Sequence, residues 1–385
     1  METVTAMKND FDFDALRRFP DVEAPNLFAY DPSDKLILAE AAEALAATTP
    51  GQVAVVGDDY GALTLGAAYA HGLTGIRVHQ DALSGELALG FNAREENMGD
   101  VYENFPLDEE LLTGATVVLL QLPRSLEELA DVASAIARHA DPSVVVFSAG
   151  RIKHMTLAMN EVFAKYFERV DVTRAQQKSR GLIARGPRDQ ADAVVPRTQY
   201  HADLDLHVVA TGSVFAGTKV DIGTRALLAV LDQIDPSAQT AIDLGAGTGI
   251  LAATLAKMRP GLAVIATDQS AAAVASATAT MKANGLENRV TVVRDDGLSS
   301  QPDESADVIV VNPPFHIGGA VHAGAAINLL GDVYRVLKPG GQLWAVYNTH
   351  LAYRAEMGRM VGPTTPISRN DKFTVTLAEK PLTET

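Results

Sequence analysis

The chain has 385 residues, 47% of them hydrophobic, enough to bury two cores, and it contains no cysteine. That absence excludes disulfides, thiolate zinc sites, iron–sulfur clusters and every cysteine nucleophile, including the covalent route to C5-methylated pyrimidines. The formal charge of −16 argues at first against a nucleic-acid partner, yet it is uneven: residues 1–150 carry 25 acidic and 8 basic side chains, residues 151–200 carry 5 and 10.

The first residues, METVTAMKNDFDFDALRRF, are acidic and lack an apolar signal core. The longest apolar runs, such as 61–70, fall far short of the roughly 20 residues a membrane span needs. A cytoplasmic protein with no membrane partner is therefore expected. Strand-length apolar runs at 53–57, 117–121 and 143–147 alternate with helical patterns at 33–47, 61–70 and 125–139, the signature of a parallel sheet covered by helices. Arg151, Lys153, Lys165, Arg169, Arg174, Lys178, Arg180, Arg185, Arg188 and Arg197 form a basic stretch, read either as a solvated face or as an RNA contact. The polar segment 185–199, RGPRDQADAVVPRTQ, reads as a linker. Beyond it the alternation resumes with strands AIDL (241–244), AVIAT (263–267), VTVV (290–293), DVIVV (307–311) and QLWAVYN (342–348). QLWAVYN and KFTVTLAE, separated by TTPISRN, read as a closing antiparallel hairpin, and Trp344, inside an apolar strand, as core.

The two halves align with each other. VVGDDYG (55–61) falls on DLGAGTG (243–249), HQD (79–81) on TDQ (267–269), and VVLLQLPRS (117–125) on VIVVNPPFH (308–316). In the second half, Asp243, Leu244, Gly245, Ala246, Gly247 and Gly249 make a strand-to-helix loop where glycines let the backbone turn tightly and approach a nucleotide-like cofactor. Ile250 stands where a dinucleotide fingerprint needs glycine, which disfavours NAD. Asp268, followed by Gln269, ends the next strand and suits a ribose diol or a helix N-cap; Asp295 and Asp296 suit an adenine edge or a polar turn. Asn312, Pro313, Pro314 and Phe315 end the fourth strand. Prolines hold a rigid turn there, the Asn312 side-chain oxygen and the Pro313 carbonyl are acceptors for an NH2 group, and Phe315 offers a face for a base to stack on. His316, His322 and His350 lack carboxylate companions at ligand spacing, so no metal is expected.

DLGAGTG followed by NPPF resembles the class I S-adenosylmethionine-dependent methyltransferases that act on amino nitrogens. With a degenerate first half and GSVFAGTKVDIGTRALL (212–228), the whole chain is similar to the bacterial ribosomal-RNA guanine-N2 methyltransferases, the large-subunit type more than the small-subunit type. The resemblance implies an α/β fold of two tandem Rossmann-like domains, mostly parallel with an antiparallel last strand: a non-catalytic domain over 1–190, serving RNA recognition or structure, and a catalytic domain over 200–385. It implies S-adenosyl-L-methionine as cofactor, ribosomal RNA as partner, and direct transfer of the methyl group to guanine N2; a monomer is expected, although the sequence does not fix the oligomeric state. Asn312, Pro313, Pro314 and Phe315 would stand at the amine, the glycine loop at the methionine moiety, Asp268 at the ribose, and Phe215 beside the cofactor, although Ala216 replaces the serine that usually follows it. In the first half Asp59 stands at the central glycine position, Gln80 at the ribose acid, and Gln121, Leu122, Pro123 and Arg124 at Asn-Pro-Pro-Phe, so no cofactor is expected there. Rival readings are an adenine-N6 or protein-glutamine methyltransferase, and a non-catalytic RNA-binding assembly factor.

Overall fold

The computed structural model describes residues 11–188, 194–211, 214, 216–313, 329–351 and 353–382. It divides into two compact units, residues 1–194 and 195–385. The first holds strands β1 (Val53–Val56), β2 (Ile76–His79), β3 (Tyr102–Asn104), β4 (Val117–Gln121), β5 (Val145–Arg151), β6 (Phe167–Val172) and β7 (Ser179–Pro187), in the order β3-β2-β1-β4-β5-β7-β6. The second opens on a hairpin, β8 (Arg197–His201) with β9 (Leu206–Ala210). Its sheet comprises β10 (Thr240–Leu244), β11 (Ala263–Asp268), β12 (Val290–Arg294), β13 (Ala306–Val311), β14 (Leu337–Asn348), β15 (Thr364–Arg369) and β16 (Phe373–Glu379), ordered β12-β11-β10-β13-β14-β16-β15. Position for position, the two orders are the same. In each sheet one reversed strand, β7 or β16, is inserted antiparallel between its neighbours while the other pairings are parallel.

The apolar runs of the sequence are continuous because both sheet faces are covered. Along β13, Val308 and Val310 join one core cluster while Ala306, Ile309 and Val311 join the other. Along β14, Trp344 and Val346 face the first cluster, and Leu343, Ala345 and Tyr347 the second. Trp344 is buried, with its indole N–H donating to Gln342 Oε1 at 3.1 Å.

Two expectations are corrected. TTPISR is a strand, β15, and not a connector: β16 pairs with β14 on one side and β15 on the other, and Pro366 is tolerated because β15 is the sheet edge, with a register irregularity at that point. The segment 185–199 is not all linker, since β7 runs to Pro187 and β8 begins at Arg197. The β8–β9 hairpin is not evident from sequence because its partner lies far along the chain. β9 is held by Thr280 Oγ1, which accepts from the Val209 N–H at 3.0 Å, and by Asn284 Oδ1, which accepts from the His207 N–H at 3.0 Å.

Asp307 stitches the amino end of this sheet. Its carboxylate accepts from the N–H groups of Gln239 and Thr240, each at 2.9 Å, and pairs with Lys338 at 2.8 Å. Burial would raise its pKa, but Lys338 and these donors hold it down at about 2. Because the folded value lies below the unfolded one, the resulting stabilisation is present above pH ~4 and is lost as pH falls through about 2. Asp307→Asn should therefore destabilise the protein by roughly 2 kcal/mol at pH 7 in urea unfolding, with the difference shrinking toward pH 2. Equal stability of the two proteins at pH 7 would contradict this account.

Candidate functional site

Strands β10, β11, β12 and β13 run parallel, so the loops after Leu244, Asp268, Arg294 and Val311 leave the same edge of the sheet. Gly245, Gly247 and Gly249 all adopt left-handed backbone angles, with φ of +70°, +55° and +77°. Their purposes differ. A Cβ on Gly249 would stand 2.6 Å from Met281 Cε and 3.2 Å from Ala277 Cβ, so this glycine lets the helix Ala271–Ala283 pack close. Around Gly245 and Gly247 a Cβ would meet nothing within 4 Å. Gly245 and Gly247 thus leave open space beside the loop, while the absence of a Cβ at Gly249 serves helix packing.

The loop is tied to β11. The N–H groups of Gly245 and Ala246 both donate to the Thr267 carbonyl at 2.9 Å, and the Gly247 N–H donates to Asp268 Oδ2 at 2.9 Å. Asp268 Oδ1 accepts from the Ser270 N–H at 2.9 Å. The helix cap is Ser270, whose hydroxyl accepts from the Ala273 N–H, so the N-cap alternative for Asp268 is set aside. The Asp268 carboxylate is half-buried and ties the glycine loop to the start of the next helix; Gln269 beside it is exposed. Asp243, on β10, is buried with Oδ2 accepting from the Ala252 N–H at 2.9 Å. Burial, against that bond, pushes its carboxyl up to about 7. Leu244 is buried within the sheet and Ala246 is half-buried.

Asp295 is directed into its own turn. It accepts from the Ser299 hydroxyl at 2.7 Å, the Ser300 hydroxyl at 2.7 Å and the Ser300 N–H at 3.0 Å. Its carboxylate is thereby spent on the loop, the polar-turn alternative, whereas Asp296 stays half-buried next to it.

Asn312 leaves β13 half-buried, and its amide orientation is dictated by its partners. Nδ2 lies 3.2 Å from both carboxylate oxygens of Asp221 and 2.9 Å from Thr224 Oγ1. A carboxylate accepts only, and the Thr224 hydroxyl itself donates to Asp221, so the group facing them must be the NH2. Oδ1 is left as an acceptor. Asp221 caps the helix Ile222–Leu228, accepting from the N–H groups of Gly223 at 2.9 Å and Thr224 at 3.1 Å. Neither Asp221 nor Thr224 is among the site residues expected from sequence; the capping pattern Asp-Ile-Gly-Thr ahead of an apolar helix was the available signal. Pro313 follows, half-buried, while Pro314, Phe315 and Phe215 lie outside the described residues. His316 and His322 do too, and among the described residues no group of three or more His, Asp or Glu side chains could hold a metal ion.

The first unit repeats the frame with a different filling. Gly57, at the position of Gly245, also has positive φ, but its Cβ would meet the Gln121 carbonyl at 3.4 Å and Gln121 Cβ at 3.6 Å. Gln80, at the Asp268 position, is 2% exposed and packs against Gly85. Asp59 replaces the central glycine and is exposed. Gln121, at the Asn312 position, donates to Asp34 Oδ1 at 2.7 Å. Asp34 stands three residues after the cap Asp31, as Thr224 stands three after Asp221. The strand-end amide is thus moored to the same helix position in both units.

The two parts of the chain match separate family models: "RLMG N-terminal domain" over residues 4–189 and "Methyltransferase small domain" over residues 205–377. Ribosomal RNA large subunit methyltransferase G of Shewanella amazonensis is 31% identical over 95% of this chain and 96% of its own length. The Streptomyces avermitilis protein of the same name is 31% identical over 95% and 97%. A T. thermophilus 16S rRNA N2 methyltransferase, solved in complex with AdoMet and guanosine, shares the fold with a TM-score of 0.73 over 93% of this chain and 97% of that one, at 22% identity. Identity at this level along nearly the full length of both sequences, with both family models in their proper order, means that this chain belongs to the ribosomal RNA large subunit methyltransferase G family.

Proposed function

We propose that the chain methylates the exocyclic N2 amine of a guanine in large-subunit ribosomal RNA, using S-adenosylmethionine, and that the second unit does the chemistry. The observation that carries this reading is the fixed amide of Asn312, which aims an acceptor, not a donor, from the edge that also carries the open glycine loop. The cofactor fits that edge: the space over Gly245 and Gly247 that a side chain would fill takes the methionine moiety. Asp268, positioned by two backbone donors at this edge, is assigned to the ribose hydroxyls, and Asp296, at the end of the next strand, to the adenine. Phe215 belongs to the same proposal.

When bound, S-adenosylmethionine supplies an electrophilic methyl group on a sulfonium. The rest falls to the chain. A guanine amine is a poor nucleophile because its lone pair is delocalised into the ring. Accepting its two hydrogens on Asn312 Oδ1 and the Pro313 carbonyl holds the nitrogen so that the lone pair turns toward the methyl carbon, while Pro314 stiffens the turn and Phe315 stacks on the base. The amine's proton is strongly acidic once the new bond forms and leaves to solvent, so no buried base and no metal ion are needed. We take the enzyme to act as a monomer in the cytoplasm; no helix among the described residues is long and apolar enough to cross a membrane.

The first unit serves RNA binding in this reading. Burial and the charges of Arg124, Lys153 and Arg151, opposed by Asp31, hold the His154 imidazole below its usual range, so these groups lie together at the carboxyl ends of β4 and β5. The Ile152 N–H donates to the Lys178 carbonyl at 3.0 Å and Gly150 pairs with Arg180, which brings the turn between β6 and β7 to the same edge. An exposed basic edge on an otherwise acidic half suits phosphates.

Asn312→Ala should lower the rate of methylation of a large-subunit rRNA transcript by about 100-fold or more, leaving a measurable residual rate, and leave cofactor affinity, by calorimetry, within a few-fold; a fully active variant would refute the assignment. The two glycine classes should also separate. Gly247→Ala should weaken cofactor binding at least ten-fold with a small change in Tm, whereas Gly249→Ala should mainly lower Tm, by crowding Met281. Unchanged cofactor affinity in Gly247→Ala would place the ligand elsewhere.

A further inference from the structure

The carboxyl edge of the second sheet carries a feature that the transfer chemistry leaves unused. A cavity of about 430 Å³ opens there, with Tyr347, Leu351, Pro366 and Ile367 giving it an apolar wall and Arg354 and Arg369 giving it charge. Its place relative to Asn312 follows from the strand directions. β14 runs parallel to β13, so it ends at the Asn312 edge; β16 starts there, with Phe373 opposite Asn348, and β15 ends there, with Arg369 opposite Thr374. Phe373 stands at the Asn312 end, since a Cβ on Gly223 would lie 3.0 Å from Asn312 Oδ1 and 3.2 Å from Phe373 Cε1, while Tyr347 and Leu351 belong to the core on the other face of the sheet, so the cavity shares the edge with Asn312 and opens around it. Three strand spacings, about 14 Å, separate β13 from β15, a step of a few nucleotides along an RNA strand.

The charges of this cavity are unspent. Arg225, Lys257, Arg335, Lys338, Arg359 and Lys380 of the same unit all pair with carboxylates. Arg354 and Arg369 make no ion pair among the described residues, and both are exposed. Among the described residues Arg354 bonds only through Nε, to the Thr364 carbonyl at 3.2 Å, and its terminal nitrogens make no bond. Burial pushes the Tyr347 phenol up, opposed by Thr376 and by the charges of Arg354 and Arg369, so both guanidinium groups stand near its hydroxyl. Tyr347 is 6% exposed and lies beneath the surface of the wall, so two forked cations beside the aliphatic side chains of Leu351, Pro366 and Ile367 match a nucleotide, with phosphate at one end and the apolar face of a base at the other.

We propose that this cavity seats one unpaired nucleotide of the RNA strand flanking the target guanine, its phosphate held by Arg354 and Arg369 and its base against the apolar wall. The proposal rests on RNA being the substrate, and it gives the second unit a binding subsite of its own beside the reacting amine. A free nucleoside monophosphate has the same chemistry; covalent continuity with the target strand is what favours RNA.

The test uses the full chain and a large-subunit rRNA transcript. If the wild-type protein methylates no ribosomal RNA, the proposed function fails and this subsite with it. If it does, Arg354→Ala/Arg369→Ala should raise the KM for RNA about ten-fold or more and leave kcat and cofactor affinity within two-fold. The slope of log KM against log salt should fall by about 0.7 for each phosphate that the variant no longer neutralises. Arg369→Glu, which disturbs no hydrogen bond among the described residues, should reproduce the effect should the double variant unfold. An unchanged KM and salt slope in an active, folded variant would overturn the subsite while leaving the methyltransferase reading intact. Guanosine monophosphate that binds the wild type and not the variant, yet leaves the KM for RNA unchanged, would assign the cavity to free nucleotides and overturn the RNA proposal.

Discussion

The Asn312 amide is held in one orientation by an acid that can only accept and a hydroxyl already committed as a donor, and the proposed chemistry depends on that constraint. An unrestrained asparagine offers donor and acceptor with nearly equal ease, and an NH2 substrate distinguishes sharply between them. Asp221 removes the ambiguity while capping the helix Ile222–Leu228, so the part that terminates one element also orients the end of another. Preorganisation of this kind suits a reaction whose catalysis rests on positioning. No strong base has to be generated, and the perturbed carboxyl nearby, Asp243, is occupied in closing the glycine loop onto its helix.

The first unit repeats this constraint with different side chains around it. Gln121 is moored to Asp34 as Asn312 is moored to Thr224, and the strand order is the same. The helix N–H that Asp243 satisfies in the second unit, on Ala252, has its counterpart in Thr64, which donates to Asp58 at 2.7 Å. The carboxylate has moved from the strand to the loop, yet the bond survives, and burial pushes Asp58 up to about 7 as it does Asp243. What the duplicated fold needs has been retained. Beside Gly57 a Cβ would touch Gln121, where beside Gly245 it would touch nothing, and the Gln80 side chain is buried. On the proposed reading, this half kept its scaffold and lent its edge to RNA.

Much of this was legible in the sequence because parallel strands buried on both faces leave continuous apolar runs, and because left-handed turns leave glycines. What was not legible depends on contacts between distant residues. Nothing local separates Gly249 from Gly247; only the approach of Met281 does. Asp295 and Asp296 are equivalent on paper, and the serines at 299 and 300 decide that the first one turns away. TTPISR contains a proline and reads as a connector until the sheet edge makes the proline acceptable. Asp221 was visible as a cap, but its hold on Asn312 spans 91 residues and no short pattern announces it.

The most direct test of that hold is a double-mutant cycle between Asp221→Asn and Asn312→Ala, read as the single-turnover methylation rate at saturating cofactor. Asparagine preserves the helix cap but lets the Asn312 amide turn either way. The account predicts a loss of at least ten-fold for Asp221→Asn in the wild-type background and no further loss when Asn312 is already alanine, measured on the residual rate. Equal losses in both backgrounds would mean that Asp221 serves the fold alone and that the acceptor at residue 312 is not set by it.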